Sequence, residues 1–241
     1  KQSVFSSFYY PARGGFFAFF KRMYDGVDVR LNKKVLAVDP SARTVRFADG
    51  STAGYQRLIS TIPLNDLVRA IPGAPDAIRR DAETLRHTRM IGINLVINKP
   101  ALVPYHWFYI YDPDIEVSRV KVMSNVIRDS VPEGTTVLQT EIFRRDDESY
   151  GLSSVTNRAV EQLGTMLGFD PQRDLRTVGQ IEVSHSYTIP TLGRQAAVDR
   201  ITGWLAGQGI DTAGLYGRWK YVWSDQAYAA GKEAAIRLAG M

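Results

Sequence analysis

Apolar and polar positions along this chain fall into a few regular rhythms, and each rhythm predicts an element. Val27, Val29 and Leu31 alternate with Asp28 and Arg30, which predicts a short half-buried strand over 27–31. Val35–Asp39 and Thr44–Phe47 read as a strand pair around the turn Pro40-Ser41-Ala42, with Asp49-Gly50 as the next turn. Arg57–Thr61 is a further apolar strand, stopped at Pro63. Leu64, Leu67, Val68 and Ile71 then fall at i, i+3, i+4 and i+7, the stripe of a one-sided helix. A second helix is expected over Pro75–Arg86.

The middle of the chain reads as a meander. Arg89–Ile97, Tyr105–Tyr111, Ser118–Ile127 and Thr135–Phe143 are β-rich. Pro100 and Pro104, Asp112-Pro113-Asp114 and Pro132-Glu133-Gly134 divide them. Connections this short join antiparallel neighbours, because a parallel crossover needs about a dozen residues or more. A helix follows, with Ser154 as N-cap, Val155, Ala159, Leu163 and Met166 on one face, and Gly168 at its end. Thr177–Ile189 reads as a strand, Arg194–Leu205 as a helix burying Ala197, Ile201, Trp204 and Leu205, and Leu215–Arg218 as a last short strand. The closing helix starts near Ser224 or Asp225. Its Ala227, Ala230, Gly231, Ala234, Ala235 and Leu238 form a stripe of small residues. Such a stripe suits close packing on a sheet or a flat ligand equally well. The N–H groups of its first turn would suit the oxygens of a cofactor.

Composition narrows the picture. The chain has 241 residues, 44% hydrophobic and 23% charged, the balance of an ordinary globular protein, and with the strand and helix runs above it reads as α+β. No apolar run approaches the ~20 residues that cross a bilayer. A cytoplasmic location is the default expectation. Lys1-Gln2-Ser3 offers neither an initiator Met nor a signal peptide, so the chain reads as the middle of a longer protein. The absence of cysteine excludes disulfides, thiolate nucleophiles and zinc-finger sites. The net charge of +5 is scattered, with no basic run beyond pairs such as Lys33-Lys34. That argues against nucleic acid and for an anionic small molecule.

Candidate chemistry is sparse. His87, His106 and His185 have no metal-ligand spacing, so no metal site is expected. No nucleophile elbow, Walker loop or GxGxxG occurs. What remains is a set of arginines and aromatics: Arg13, Trp107, Tyr109, Arg119, Tyr187, Arg218 and Tyr221. Arginine offers a bidentate charged fork and tyrosine a hydroxyl on a stiff stem, a pairing suited to a diphosphate. Each one taken singly is more often structural. Trp107 and Tyr109, at i and i+2, share one side of their strand.

Several segments go further when taken in order. Phe8-Tyr9-Tyr10-Pro11-Ala12-Arg13-Gly14-Gly15, Leu58–Pro63, Gly217-Arg218-Trp219-Lys220-Tyr221 and Ala230–Ala235 resemble the FAD-dependent superfamily of amine oxidases, protoporphyrinogen oxidase and UDP-galactopyranose mutases. His106–Tyr109, Ser118-Arg119 leading to Met123-Ser124-Asn125, and Ser186–Leu192 look most like the eukaryotic-type mutase branch. The resemblance covers nearly the whole chain but only the C-terminal part of a family member. It implies an antiparallel substrate-binding sheet flanked by helices, plus the C-terminal remnant of an FAD-binding Rossmann-like domain. The implied division is 1–72 and 191–241 on the FAD side, with 73–190 binding substrate.

The same resemblance implies ring contraction of a UDP-sugar through a reduced-flavin N5 adduct. Arg13, Trp107, Tyr109, Arg119, Tyr187 and Tyr221 would bind substrate, and Gly217, Arg218, Ser224, Asp225, Gln226 and Ala227 would lie on the flavin side. Two departures weigh on this. Ser224-Asp225-Gln226-Ala227 stands where the mutases carry Asn-Gln-Asp-His, and the segment from Arg218 to Tyr221 is shorter than theirs. Without the GxGxxG half, the fragment alone is expected neither to retain FAD nor to be active. The alternatives are an oxidoreductase of the amine-oxidase or protoporphyrinogen-oxidase kind, and a non-catalytic binding module.

Overall fold

The computed structural model describes residues 9–127, 129 and 131–240. The chain divides into two compact units, residues 1–29 with 89–184 and residues 30–88 with 185–241. The first elements among the described residues are one helical turn, α1 (Phe17–Phe20), and a 3-10 turn over Lys21–Tyr24. The strand expected over 27–31 does not form, and Val27, Val29 and Leu31 are 58%, 47% and 78% exposed. Alternation makes a strand only where a neighbour takes the backbone N–H and C=O groups and a core takes the apolar face.

In the second unit, β1 (Val35–Asp39), β2 (Thr44–Phe47) and β3 (Thr52–Gly54) form an antiparallel sheet in that order. Asp39 Oδ1 accepts from the Ser41 and Ala42 N–H groups at 2.9 Å each, closing the β1–β2 turn. β4 (Leu58–Ser60) leads into α2 (Leu64–Arg69) and α3 (Asp76–Glu83). Leu64, Leu67, Val68 and Ile71 are all buried, as their spacing predicted.

The first unit is built on a five-stranded sheet. Its elements are β5 (Thr88–Ile97), β6 (Trp107–Tyr109), β7 (Arg119–Val122), α4 (Met123–Val126), β8 (Thr136–Arg145), α5 (Leu152–Leu167), α6 (Pro171–Asp174) and β9 (Leu175–Val183). Sheet order is β6-β7-β8-β5-β9, with antiparallel β6–β7, β7–β8 and β5–β9 pairs. Ile91, Ile93, Leu95, Val120, Val122, Leu138 and Ile142 share one core with Val155, Ala159 and Leu163 of α5. Burying those side chains contributes roughly 1.5–3 kcal/mol for each large aliphatic one.

Several boundaries differ from expectation. Helix α5 is capped at Gly151, so Ser154 lies inside it, and Met166 is 42% exposed. The strand expected over Ser118–Ile127 ends at Val122, where α4 begins. The strand expected over Thr177–Ile189 ends at Val183, with only an isolated bridge between His87 and Thr188 beyond it.

The second unit resumes with α7 (Arg194–Gly207), β10 (Ile210–Thr212), α8 (Gly214–Gly217) and α9 (Ser224–Ala239). The strand expected at Leu215–Arg218 is the helical turn α8. The strand lies earlier, at β10, which pairs in parallel with β4. Gly214, with φ of 77°, breaks the extended run between them. Helices α2, α3 and α7 supply most of this unit's core, together with Val38, Val45 and Trp219. The small-residue stripe of α9 is largely open: Ala234 is buried, while Ala227, Gly231 and Ala235 are exposed.

Candidate functional site

Two neighbouring strands of the first unit, β6 and β7, bring together three of the expected substrate residues, and β8 lies beside them. Cross-strand register aligns Tyr109 with Arg119 and Arg119 with Glu141. The adjacent row aligns Trp107 with Lys121 and Lys121 with Gln139. Side chains directly opposite one another in a sheet share a face, so these six form one array. The intervening row, Phe108, Val120 and Thr140, faces the other way, toward the core that contains Val120. The array therefore lies on the side of the sheet away from α5.

Its electrostatics centre on Glu141, whose side chain is only 7% exposed. Arg119 Nη2 lies 2.5 Å from a Glu141 carboxylate oxygen and Lys121 Nζ lies 3.1 Å from Oε1. Two cations against one carboxylate leave the cluster at a net +1. The Arg119 guanidinium also stands 5.8 Å from the Tyr109 ring centroid, within cation–π range. Tyr109 stacks with Tyr111 at 6.3 Å, and Trp107 and Tyr109 are 40% and 51% exposed. Gln139 Nε2 donates to Asn94 Oδ1 at 3.3 Å, extending the polar face onto β5. Aromatic surface beside net positive charge suits a ligand that is both flat and anionic.

Asn125 holds the approach to β6. Its Nδ2 donates to Val103 O and to Tyr105 O, at 2.8 Å each. Lys121, Glu141, Gln139 and Asn94 were not singled out from the sequence. The alternation of Arg119 and Lys121 on one strand was the available signal. The pairing with Glu141, on another strand, was not. Arg13 is exposed in the bend ahead of α1, outside this array.

The other expected residues belong to the second unit. Tyr187 and Tyr221 lie together, ring centroids 5.7 Å apart. Gly217 packs against β4: a Cβ added there would sit 2.7 Å from Ser60 O. Arg218 turns onto its own unit, donating through Nε to Thr212 O at 2.8 Å and reaching Asp211 Oδ1 at 3.3 Å. Arg237 takes the other Asp211 oxygen at 3.0 Å. Both arginines line a cleft of about 470 Å³ with Arg57, Thr202, Gly203 and Ala206. Ser224, Asp225, Gln226 and Ala227 form the exposed first turn of α9, where Gln226 Oε1 accepts from the Trp223 N–H at 2.9 Å.

Among the candidate cofactor residues, then, the first turn of the 16-residue helix α9 fits a ligand rich in oxygens, because its residues are exposed and the leading N–H groups of a helix have no carbonyl of the preceding turn. Gly217 and Arg218 are engaged in packing and ion pairing within the unit. Among the described residues, no group of three or more His, Asp or Glu side chains is gathered as a metal ion would require. No helix among them is long and apolar enough to cross a membrane.

Comparison with solved structures finds the same fold. A crystal structure of reduced UDP-galactopyranose mutase superposes with a TM-score of 0.85 at 22% identity, over 96% of this chain and 52% of that one. A protein of Exiguobacterium sp. 255-15 assigned as a protoporphyrinogen oxidase gives 0.68 at 16% identity, over 93% and 51%. A conjugated-linoleic-acid-producing fatty acid isomerase of P. acnes gives 0.70 at 12% identity, over 92% and 52%. The chain thus spans about half the length of the solved structures it matches. The sequence profile of the family described as flavin containing amine oxidoreductase matches residues 2–238. That match runs almost end to end, and the chain belongs to the flavin containing amine oxidoreductase family.

Proposed function

We propose that this chain is the substrate-binding portion of an FAD-dependent enzyme that isomerises a nucleotide sugar, in the manner of a UDP-galactopyranose mutase. The observation that carries this reading is the array on β6, β7 and β8. Trp107 and Tyr109 offer aromatic surface for a base or sugar, and Arg119 beside them offers positive charge for a diphosphate. An amine or tetrapyrrole substrate would call for an apolar or aromatic cage without a cationic cluster.

In this reading the sheet unit binds substrate, and the unit carrying α9 contributes to the cofactor side. Ser224, Asp225, Gln226 and Ala227 are the residues that would face the flavin. A bound flavin supplies the redox-active, nucleophilic ring system that these side chains lack. The chain carries no GxGxxG segment, so FAD binding is assigned to the full-length gene product and not to this piece.

The test is calorimetry of the full-length gene product with UDP and UDP-galactose. Saturable binding of both, weakened by Arg119→Ala, is expected. Absence of heat or thermal shift at millimolar ligand, with Arg119→Ala silent, would sink the reading. The family description favours a second reading, a flavin-dependent oxidoreductase. It predicts amine- or tetrapyrrole-dependent reduction of the bound flavin, which the mutase reading does not. A colourless gene product that cannot be reconstituted with FAD would favour a non-catalytic binding module.

A further inference from the structure

We infer that Lys121 is a second anion-binding residue of the sheet face, and that Glu141 is the positioning residue that sets Lys121 and Arg119 as one receptor for a diphosphate. The inference rests on the nucleotide-ligand reading above and names residues that reading did not use.

Arg119 and Lys121 stand two residues apart on β7, so their side chains leave the same face within about 7 Å of each other. Two cations that close repel unless a counter-charge lies between them. Glu141 supplies it, with contacts of 2.5 Å to Arg119 and 3.1 Å to Lys121. Burial gives the cluster a direction. The side chain of Glu141 is 7% exposed, that of Arg119 22% and that of Lys121 36%. The carboxylate is therefore the floor, and both cations lie between it and solvent. The second cation leaves a net positive charge, aimed outward, beside Trp107, which pairs with Lys121 in register. An anion approaching the face meets Lys121 together with Arg119. Lys121 gives a compact point charge where Arg119 gives a fork, so the two divide a diphosphate between them.

The experiment titrates UDP, uridine and inorganic pyrophosphate into the full-length gene product, as wild type and as Lys121→Met, Lys121→Arg and Glu141→Gln. Lys121 is on the surface, so its variants are expected to fold with an unchanged melting temperature. Lys121→Met should weaken UDP and pyrophosphate about ten-fold, the scale of one charge-assisted hydrogen bond. It should also flatten the salt dependence of binding and leave uridine unaffected. Lys121→Arg should restore most of the loss. Glu141→Gln should weaken UDP yet steepen its salt dependence, because both cations remain but are neither held nor offset by the carboxylate. Wild-type UDP and pyrophosphate affinity in Lys121→Met overturns the receptor while the nucleotide-sugar reading stands. Pyrophosphate binding that depends on Lys121, without UDP binding, supports the receptor and removes the nucleotide-sugar reading. Failure of the wild type to bind either probe at millimolar concentration overturns the receptor.

Discussion

His87 and His185 stack face to face, with ring centroids 3.8 Å apart and planes 10° from parallel. The Trp219 indole meets both edge-on, at 6.0 and 6.2 Å. The two histidines stand beside two of the three places where the chain passes between its units, after residues 88 and 184. Backbone bonds lace the same stretch, from Ser186 N–H to Thr88 O at 2.7 Å and from Thr88 N–H to Tyr187 O at 2.8 Å. Tyr216 Oη donates to His185 O at 2.7 Å, and burial pushes its phenol above the ordinary tyrosine range. A polar ring stack is thereby fixed against the core of the second unit.

Trp219 is 1% exposed and holds φ of 48°, a left-handed conformation unusual for a bulky residue. Trp219→Ala should cost roughly 3–5 kcal/mol, the scale of losing a buried indole. Trp219→Gly loses the same ring but relieves the backbone. It should be less destabilising than Trp219→Ala by up to about 1 kcal/mol. Denaturant melts of the two variants decide this, and a lower midpoint for the glycine variant would contradict it.

Gly217 is expected to matter through packing. With a Cβ at 2.7 Å from Ser60 O, Gly217→Ala must shift α8 or β4. A loss of about 1–3 kcal/mol follows, as for overpacked cores. A thermal melt of this chain reads the loss without any cofactor. An unchanged melting temperature would reassign the glycine to some other role.

Asp81 on α3 and Arg200 on α7 form a two-pronged ion pair at 2.7 and 2.8 Å. The guanidinium holds the Asp81 carboxyl below the usual carboxylate range. A folded-state value below the unfolded one adds stability above about pH 4, lost as pH falls through the folded value. Arg200 is 59% exposed, so water screens the pair and Asp81→Asn should cost only about 0.5–1 kcal/mol at neutral pH. Urea titrations at pH 7 and pH 3 should show the wild-type advantage shrinking with acid. A difference independent of pH would rule out the ionic origin.

Asn125→Ala removes two bonds, to Val103 O and Tyr105 O, that hold the chain entering β6. A loss of about 1–3 kcal/mol is expected. Hydrogen exchange localises it: faster exchange at Trp107–Tyr109 is expected, with β5 unaffected. Uniform change across the sheet would contradict a local role.

Much of the architecture is legible in one dimension. The stripe Leu64, Leu67, Val68 and Ile71, the long runs of β5 and β8 and the helix ending at Gly168 follow from local pattern. The run Ser118–Ile127, by contrast, stops at Val122, and β5 lies between β8 and β9 instead of beside β6 as a meander would have it. Local pattern fails where a partner decides. Val27–Leu31 alternates like a strand yet is exposed, and Leu215–Arg218 looks extended yet turns as α8 after Gly214.

The site divides the same way. Trp107 and Tyr109 facing one side, and Arg119 two residues from Lys121, follow from the two-residue period of any strand, so the sequence alone determined which side chains leave a strand together. Only the tertiary structure decided that Glu141 lies opposite Arg119, that Arg218 is taken up by Asp211, and that the stripe of α9 is left open. Register between strands depends on which cores and turns are satisfied together, a property of the assembled sheet and not of either strand. A carboxylate on another strand becomes the partner of an arginine only once that sheet exists.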